Sequence, residues 1–237
     1  MKLLSFLPNT FTFLNLFFGC IAVVYGLNGD LNTLALFVLL GMFCDFFDGF
    51  FARLLNVKSK LGVQLDSFSD LITFGLSSSV VMFILIKNSS FINQSNSDSY
   101  FQILPYFSFL ITIACSYRLA KFNLNHNDSH FKGLPTPANA LFIVFLPFLF
   151  ENKFLISYSN ILDNAYFLLL ITILFSYLLV CNLKMFSFKF KNLSFKENKL
   201  RFLFSLLSML VIVFFNTGAL PIIITLYIFI SFLRIKL

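Results

Sequence analysis

Long apolar runs separated by short polar stretches dominate the chain, at roughly 10–27, 32–54, 62–87, 101–122, 136–150, 163–182, 200–216 and 219–235. A bilayer core is crossed by about 20 apolar residues of helix. The runs are continuously apolar rather than alternating, which argues for helices and against barrel strands. The pattern therefore predicts an all-α, polytopic transmembrane helical bundle of about eight spans. The fifth run is short, and the last two form a tight hairpin around Asn216, Thr217 and Gly218.

Composition agrees with lipid as the solvent. The chain has 237 residues, 59% of them hydrophobic and 11% charged, against about 25% charged in a soluble domain. Phe is abundant (37 residues) while Trp is absent, so the aromatics read as lipid-facing filler rather than interfacial anchors. Cys20, Cys44, Cys115 and Cys181 lie far apart with no metal or disulfide spacing. No cleavable leader is expected, because the first run is long enough to span. Under eight spans, every Lys and Arg except Lys87 and Lys153 falls on one side: Lys2, Arg53, Lys58, Lys60, Arg118, Lys121, Lys132, Lys184, Lys189, Lys191, Lys196, Lys199, Arg201, Arg234 and Lys236. That bias places both termini in the cytoplasm and accounts for the net charge of +7 without a nucleic-acid partner. The basic loop 184–199 reads as a topology signal in contact with anionic headgroups.

One region departs from the apolar rhythm. The end of the second run and the start of the third read Asp45-Phe-Phe-Asp48-Gly49-Phe-Phe-Ala52-Arg53, then Gly62-Val-Gln-Leu-Asp66-Ser-Phe-Ser-Asp70. Ionisable residues at such depth are costly and mark function. Asp45 and Asp48 share a helical face, as do Asp66 and Asp70, and a short turn makes the two helices adjacent and antiparallel. Four converging carboxylates repel unless a cation neutralises them. With no His or Cys beside them, the donor set is hard and all-oxygen, suited to Mg²⁺ or Mn²⁺, with Ca²⁺ as a substitute or inhibitor. Gly49, Ala52 and Gly62 either leave room for a ligand or serve close helix packing. Arg53 can neutralise phosphate or anchor the helix at the membrane edge. A cation transporter would also carry intramembrane acids, but these lie near one membrane face rather than the midplane.

The pattern Asp-x₂-Asp-Gly-x₂-Ala-Arg-x₈-Gly-x₃-Asp-x₃-Asp, from Asp45 to Asp70, resembles the signature of the CDP-alcohol phosphotransferases. The resemblance implies that Asp45, Asp48, Asp66 and Asp70 hold two divalent ions. It implies that Gly49, Ala52, Arg53 and Gly62 contact the CDP part of a lipid substrate, and that Asp70 is the general base. The residues Tyr117-Arg118-Leu-Ala-Lys121-Phe-Asn123 and Phe131-Lys132-Gly133-Leu-Pro-Thr136-Pro-Ala-Asn139 narrow it, with the run Lys184–Lys191 also similar. Within the family they resemble the membrane-embedded bacterial phosphatidylserine synthases. Lys121 stands where that group's pattern has Arg, and Asn139 where it has Ala.

The implied activity is displacement of CMP from CDP-diacylglycerol by the hydroxyl of L-serine, at the lipid-side phosphorus. A sister reaction on glycerol 3-phosphate or inositol (phosphate) is the alternative. Arg118 and Lys121 share a helical face and can bind the serine carboxylate or the lipid phosphate. Asn9, Thr12 and Asn15 recur every three residues and can line the cavity, unless Asn9 or Thr10 simply caps the first helix. Thr136 is a further lining candidate, whereas His126 and His130 read as loop residues. The expected unit is a single membrane domain with a catalytic core at about 5–182 and an additional C-terminal hairpin at 200–235. It would form a homodimer in a bacterial cytoplasmic membrane with the site facing the cytoplasm.

Overall fold

The computed structural model describes residues 6–57, 59–94, 101–124, 133–152, 155–183, 185 and 199–234. Of the residues weighed above, Lys2, Lys58, Lys132, Lys153, Lys184, Lys189, Lys191, Lys196, Lys236, His126 and His130 lie outside them. No strand occurs among the described residues.

Helix α1 is Leu7–Leu27, with Pro8 in its first turn, where a missing N–H costs nothing. It begins before Asn9 and Thr10, so neither caps it. Helix α2, Leu31–Leu54, is capped by Asp30, which accepts from the Thr33 amide at 3.0 Å. Helix α3 runs Lys60–Lys87. It is α-helical at Lys60–Asp70, widens into a π turn at Leu71–Leu76 and returns to α at Ser77–Lys87. Helix α4, Phe101–Leu124, opens as a 3₁₀ segment holding Pro105. Helices α5 (Thr136–Phe150) and α6 (Ala165–Val180) are short and apolar. Helices α7 (Lys199–Phe215) and α8 (Ala219–Arg234) complete the bundle.

Five helical runs are long and apolar enough to cross a membrane, the last being Arg201–Leu233. At 33 residues that run would measure about 50 Å as one straight helix, well beyond a hydrocarbon core of about 30 Å. Asn216, in the left-handed region with φ 48°, interrupts it, and α7 and α8 contact one another.

Helix α3 is the central post. Its apolar residues Phe74, Val81, Met82 and Ile86 are fully buried, together with Leu34 and Val38 of α2, Ile111 of α4, Ile143 of α5 and Leu168 of α6. Outward positions carry large exposed apolar groups such as Phe17, Phe43, Ile113, Leu170 and Val213, the expected surface of a bundle solvated by lipid. Close approach of α1 and α2 to α3 depends on small residues. A Cβ at Gly19 would overlap Thr73 Oγ1 and lie 3.0 Å from the Thr73 backbone, and one at Gly41 would lie 2.6 Å from Thr73 Cγ2. Thr73 uses this proximity to donate to the Asn15 carbonyl at 3.0 Å.

The Gly133-Leu-Pro-Thr136-Pro sequence suits a turn leading into the fifth span, with Pro near the helix start, and the stretch is threaded against the end of α6. Gly133 donates to the Leu183 carbonyl at 2.9 Å and Leu134 to Leu178 at 2.8 Å. Gly133 has φ 78°, and a Cβ there would sit 2.6 Å from the Leu179 oxygen, so glycine is needed on both counts.

Substituting Gly19 by Ala tests this packing. The added methyl must push α1 away from the Thr73 backbone, and overpacking of this kind costs about 1–3 kcal/mol. A clear fall in the melting temperature of detergent-solubilised protein is expected; an unchanged melting temperature would contradict the contact.

Candidate active site

The turn between α2 and α3 sets the site's geometry. At the end of α2 the Val57 amide donates to Ala52 at 3.0 Å and the Asn56 amide to Arg53 at 3.2 Å, the two bonds of a Schellman motif. Asn56 occupies its left-handed position with φ 51°, which Asn tolerates better than most side chains. Ser59 then caps α3, its Oγ accepting from the Gly62 amide at 2.9 Å. The chain thus reverses within a few residues and lays the acidic end of α2 beside the acidic start of α3.

The expected convergence is present. One carboxylate oxygen from each of Asp45, Asp48 and Asp66 lies within 4.8 Å of the other two, a group that could hold a metal ion. Asp45 is also in hydrogen-bonding reach of Asp70, so all four acids form one cluster. Asp48 and Asp70 are buried.

Helix α1 supplies the cluster's polar support. Thr12 Oγ1 donates to Asp48 Oδ2 at 2.8 Å. Asn15, wholly buried, points its amide at Asp70 Oδ1 (3.4 Å) and Ser69 Oγ (3.2 Å). Ser69 in turn donates to the Asp66 carbonyl at 2.8 Å. Asp66 Oδ1 is buried without any hydrogen-bond partner. A carboxylate oxygen so placed, in a donor set of oxygens only, fits a hard divalent cation.

Beside the cluster lies a cavity of about 320 Å³ between α1, α2 and α3. Asp48 and Asp66 line it, as do Asn9, Thr12, Gly49, Ala52 and Gly62 from the sequence reading. Phe6, Pro8, Val57, Ser59 and Val63 line it too and were not anticipated. Ser59 alone carried a signal, as the polar residue opening an apolar helix. A Cβ at Gly49 would meet nothing closer than Arg53 Nη2 at 3.9 Å, so of its two readings, room for a ligand or close packing, Gly49 fits the first. Gly62 is different: a Cβ there would lie 2.9 Å from Ser59 Oγ and 3.2 Å from Asn9 Oδ1, so it permits close packing of two lining residues. Arg53 is exposed, running back along Gly49 at the cavity's edge. Asn15 turns from the cavity to Asp70.

The other candidates lie away from this cavity. Arg118 of α4 is in electrostatic reach of Asp70, and its Nε is buried without a hydrogen-bond partner. Lys121, one turn on, donates to Asn182 Oδ1 at 3.2 Å. Asn123 Nδ2 donates to Ser67 Oγ at 2.9 Å and ties the end of α4 to α3. Thr136 and Asn139 are buried near the start of α5, and Asn139 Oδ1 has no hydrogen-bond partner.

Comparison with known proteins decides the family. The CDP-alcohol phosphatidyltransferase family matches residues 5–180, more than half of the chain. The chain belongs to this family. A CDP-diacylglycerol–serine O-phosphatidyltransferase of Bacillus subtilis (strain 168) is 31% identical over 153 residues, covering 62% of this chain and 78% of that protein. The protein of the same name from Helicobacter pylori (strain ATCC 700392 / 26695) is 31% identical over 150 residues, covering 62% of this chain and 59% of its own length. An archaetidylserine synthase of Methanothermobacter thermautotrophicus is 26% identical over 179 residues, covering 73% of this chain and 69% of that protein. The family match ends before α7 and α8.

Thr12 is the test of the support from α1. Groups that orient metal-binding carboxylates typically account for about 10- to 100-fold in metal affinity. Thr12→Val should weaken Mn²⁺ binding by that order, read from metal-induced thermal stabilisation; equal affinity would remove Thr12 from the site.

Proposed function

We infer that this membrane enzyme transfers the phosphatidyl group of CDP-diacylglycerol to the hydroxyl of L-serine, giving phosphatidylserine and CMP. The observation that carries this reading is the acidic cluster set beside a cavity on the α2–α3 turn. Serine as the acceptor is supported by the names of the Bacillus and Helicobacter relatives.

Asp45, Asp48, Asp66 and Asp70 would hold two Mg²⁺ or Mn²⁺ ions. When bound, such ions neutralise the pyrophosphate oxygens and the departing phosphate. The chain's own groups do the rest. The cavity takes the cytidine nucleotide, with Gly49, Ala52 and Gly62 allowing it near the helix backbone and Arg53 reaching phosphate from the rim. Asp70 accepts the acceptor's hydroxyl proton. The serine oxygen then bonds to the lipid-side phosphorus as its bond to the CMP oxygen breaks. Asn15 holds the Asp70 carboxylate in place for that task. Arg118 and Lys121 supply positive charge for the serine carboxylate or the lipid phosphate. Charge placement along the chain supports a site and both termini on the cytoplasmic side of a bacterial membrane, and the family resemblance implies a homodimer as the working unit.

The test is CMP release by purified protein with CDP-diacylglycerol and Mn²⁺ or Mg²⁺, over L-serine, glycerol 3-phosphate, inositol and inositol phosphate. CMP with serine and metal alone is expected, and Asp66→Asn should abolish it without loss of membrane insertion. CMP with another acceptor only would overturn serine. Full activity of Asp66→Asn would overturn the metal site.

A further inference from the structure

The second half of α3 carries three consecutive serines, Ser77, Ser78 and Ser79, all wholly buried in an otherwise apolar stretch. A hydroxyl in such surroundings is costly without a partner. Ser77 and Ser78 find theirs on their own helix, at the carbonyls of Ile72 (3.2 Å) and Phe74 (2.6 Å). Ser79 reaches across to α4 instead. Its Oγ lies 2.7 Å from Thr112 Oγ1 and accepts from the Thr112 amide at 3.1 Å. Thr112 Oγ1 in turn donates to the Gly75 carbonyl at 3.4 Å, inside the π turn. All three bonds close together when Ser79 gives its own proton to Thr112 Oγ1.

A second tie joins the same two helices nearer the acidic cluster, where Asn123 Nδ2 donates to Ser67 Oγ at 2.9 Å. The helices are therefore antiparallel, and α4 packs on α3 along the π turn between the ties. Ser79 is twelve residues beyond Ser67 on α3, whereas Asn123 is only eleven beyond Thr112 on α4. A π turn closes its hydrogen bonds over five residues rather than four, so it takes up one residue more than an α turn. The π turn at Leu71–Leu76 thus absorbs the odd residue and lets both ties form at once. Between them Gly75 meets α4 closely, since a Cβ there would lie 3.1 Å from Cys115 Sγ. Arg118 follows Cys115 by three residues and shares its face of α4. Measured from the Asn123 tie, Arg118 stands five residues or about 7.5 Å along the axis, and Asp70 stands three residues or about 4.5 Å from Ser67. Arg118 and Asp70 are therefore within one helical turn of each other in height.

We propose that Ser79 and Thr112 are positioning residues for Arg118: their bond, with the π turn, fixes the register of α4 on α3 and so the height of the guanidinium beside Asp70. Apolar contact between helices is non-directional and permits sliding, whereas hydrogen bonds do not. A slip of one residue would carry Arg118 about 1.5 Å along the axis and turn it by about 100°. A guanidinium presents its donors in a rigid fork, and a fork so displaced no longer meets a carboxylate or phosphate with both arms. Neither Ser79 nor Thr112 lines the cavity between α1, α2 and α3. Their effect on substrate therefore passes through Arg118.

This rests on the transferase reading, and its test keeps the two apart. KM for each substrate, kcat and melting temperature are measured for the wild-type chain, Thr112→Val, Ser79→Ala and Arg118→Ala, and for each of the first two combined with Arg118→Ala. Arg118→Ala identifies the substrate, acceptor or lipid, whose KM depends on the guanidinium; no effect on either overturns the proposal. Loss of one net hydrogen bond should lower kcat/KM for that same substrate by about fivefold in Thr112→Val and in Ser79→Ala. Thr112→Ser, which keeps the hydroxyl, should recover it. In the Arg118→Ala background neither change should cost anything further, because coupled residues are not additive. A full fivefold fall in that background, or no fall in the wild-type background, overturns the proposal. Absence of CMP from the wild-type chain with every acceptor sinks the transferase reading instead. The register is then read without turnover, by phenylglyoxal modification of Arg118 followed by mass spectrometry. Several-fold faster modification in Thr112→Val than in the wild-type chain or Thr112→Ser is expected; equal rates overturn the proposal.

Discussion

Everything in this bundle is arranged around carboxylates that repel one another in an apolar surrounding. Two unit charges 4.8 Å apart, the limit for the oxygens of Asp45, Asp48 and Asp66, cost roughly 3 kcal/mol at an effective dielectric of about 20. Several such pairs rival the whole stability of a typical domain, about 5–15 kcal/mol. Such a cluster is tolerable inside a membrane helix pair only where its charge is neutralised, by protons or by a cation, and the carboxylates of Asp45, Asp48 and Asp66 are close enough to hold a metal ion. The unpartnered Asp66 oxygen and the supporting bonds from Thr12 and Asn15 are features of a site built to hold charge rather than to avoid it.

The helices are shaped to bring the acids together. The Schellman turn and the Ser59 cap reverse the chain within a few residues. Gly19 and Gly41 let α1 and α2 settle onto Thr73, which carries Asn15 to Asp70. The π turn begins directly after Asp70. Such turns are rare, occur mostly within α-helices and often mark functional sites. Here it shifts the register of α3, so that Thr73 faces α1 and Gly75 faces Cys115 of α4, one turn before Arg118.

Much of this was readable beforehand because charge inside an apolar run has few structural uses. The convergence of the four aspartates follows from spacing and helical geometry, whereas spacing alone left Gly49 between open space and packing, and Asn9 between lining and capping. The turn at Gly133 was legible from its Gly-Leu-Pro-Thr-Pro context. Other features left no mark. The π segment Leu71–Leu76 reads as ordinary apolar helix, because π turns have no composition of their own. Asn15 sits in register with Asn9 and Thr12, and only the position of α3 shows that it serves Asp70 instead of the cavity. The tie between Lys121 and Asn182 joins residues far apart in sequence.

The account stands or falls on whether the acidic cluster places a divalent ion against the lipid's phosphates. Electron–nuclear double resonance on the Mn²⁺-loaded protein in detergent measures this directly. Addition of CDP-diacylglycerol should bring in hyperfine coupling between bound Mn²⁺ and phosphorus, and Asp48→Asn should remove it. Mn²⁺ that fails to bind, or that binds and shows no phosphorus coupling with the lipid present, would contradict the account.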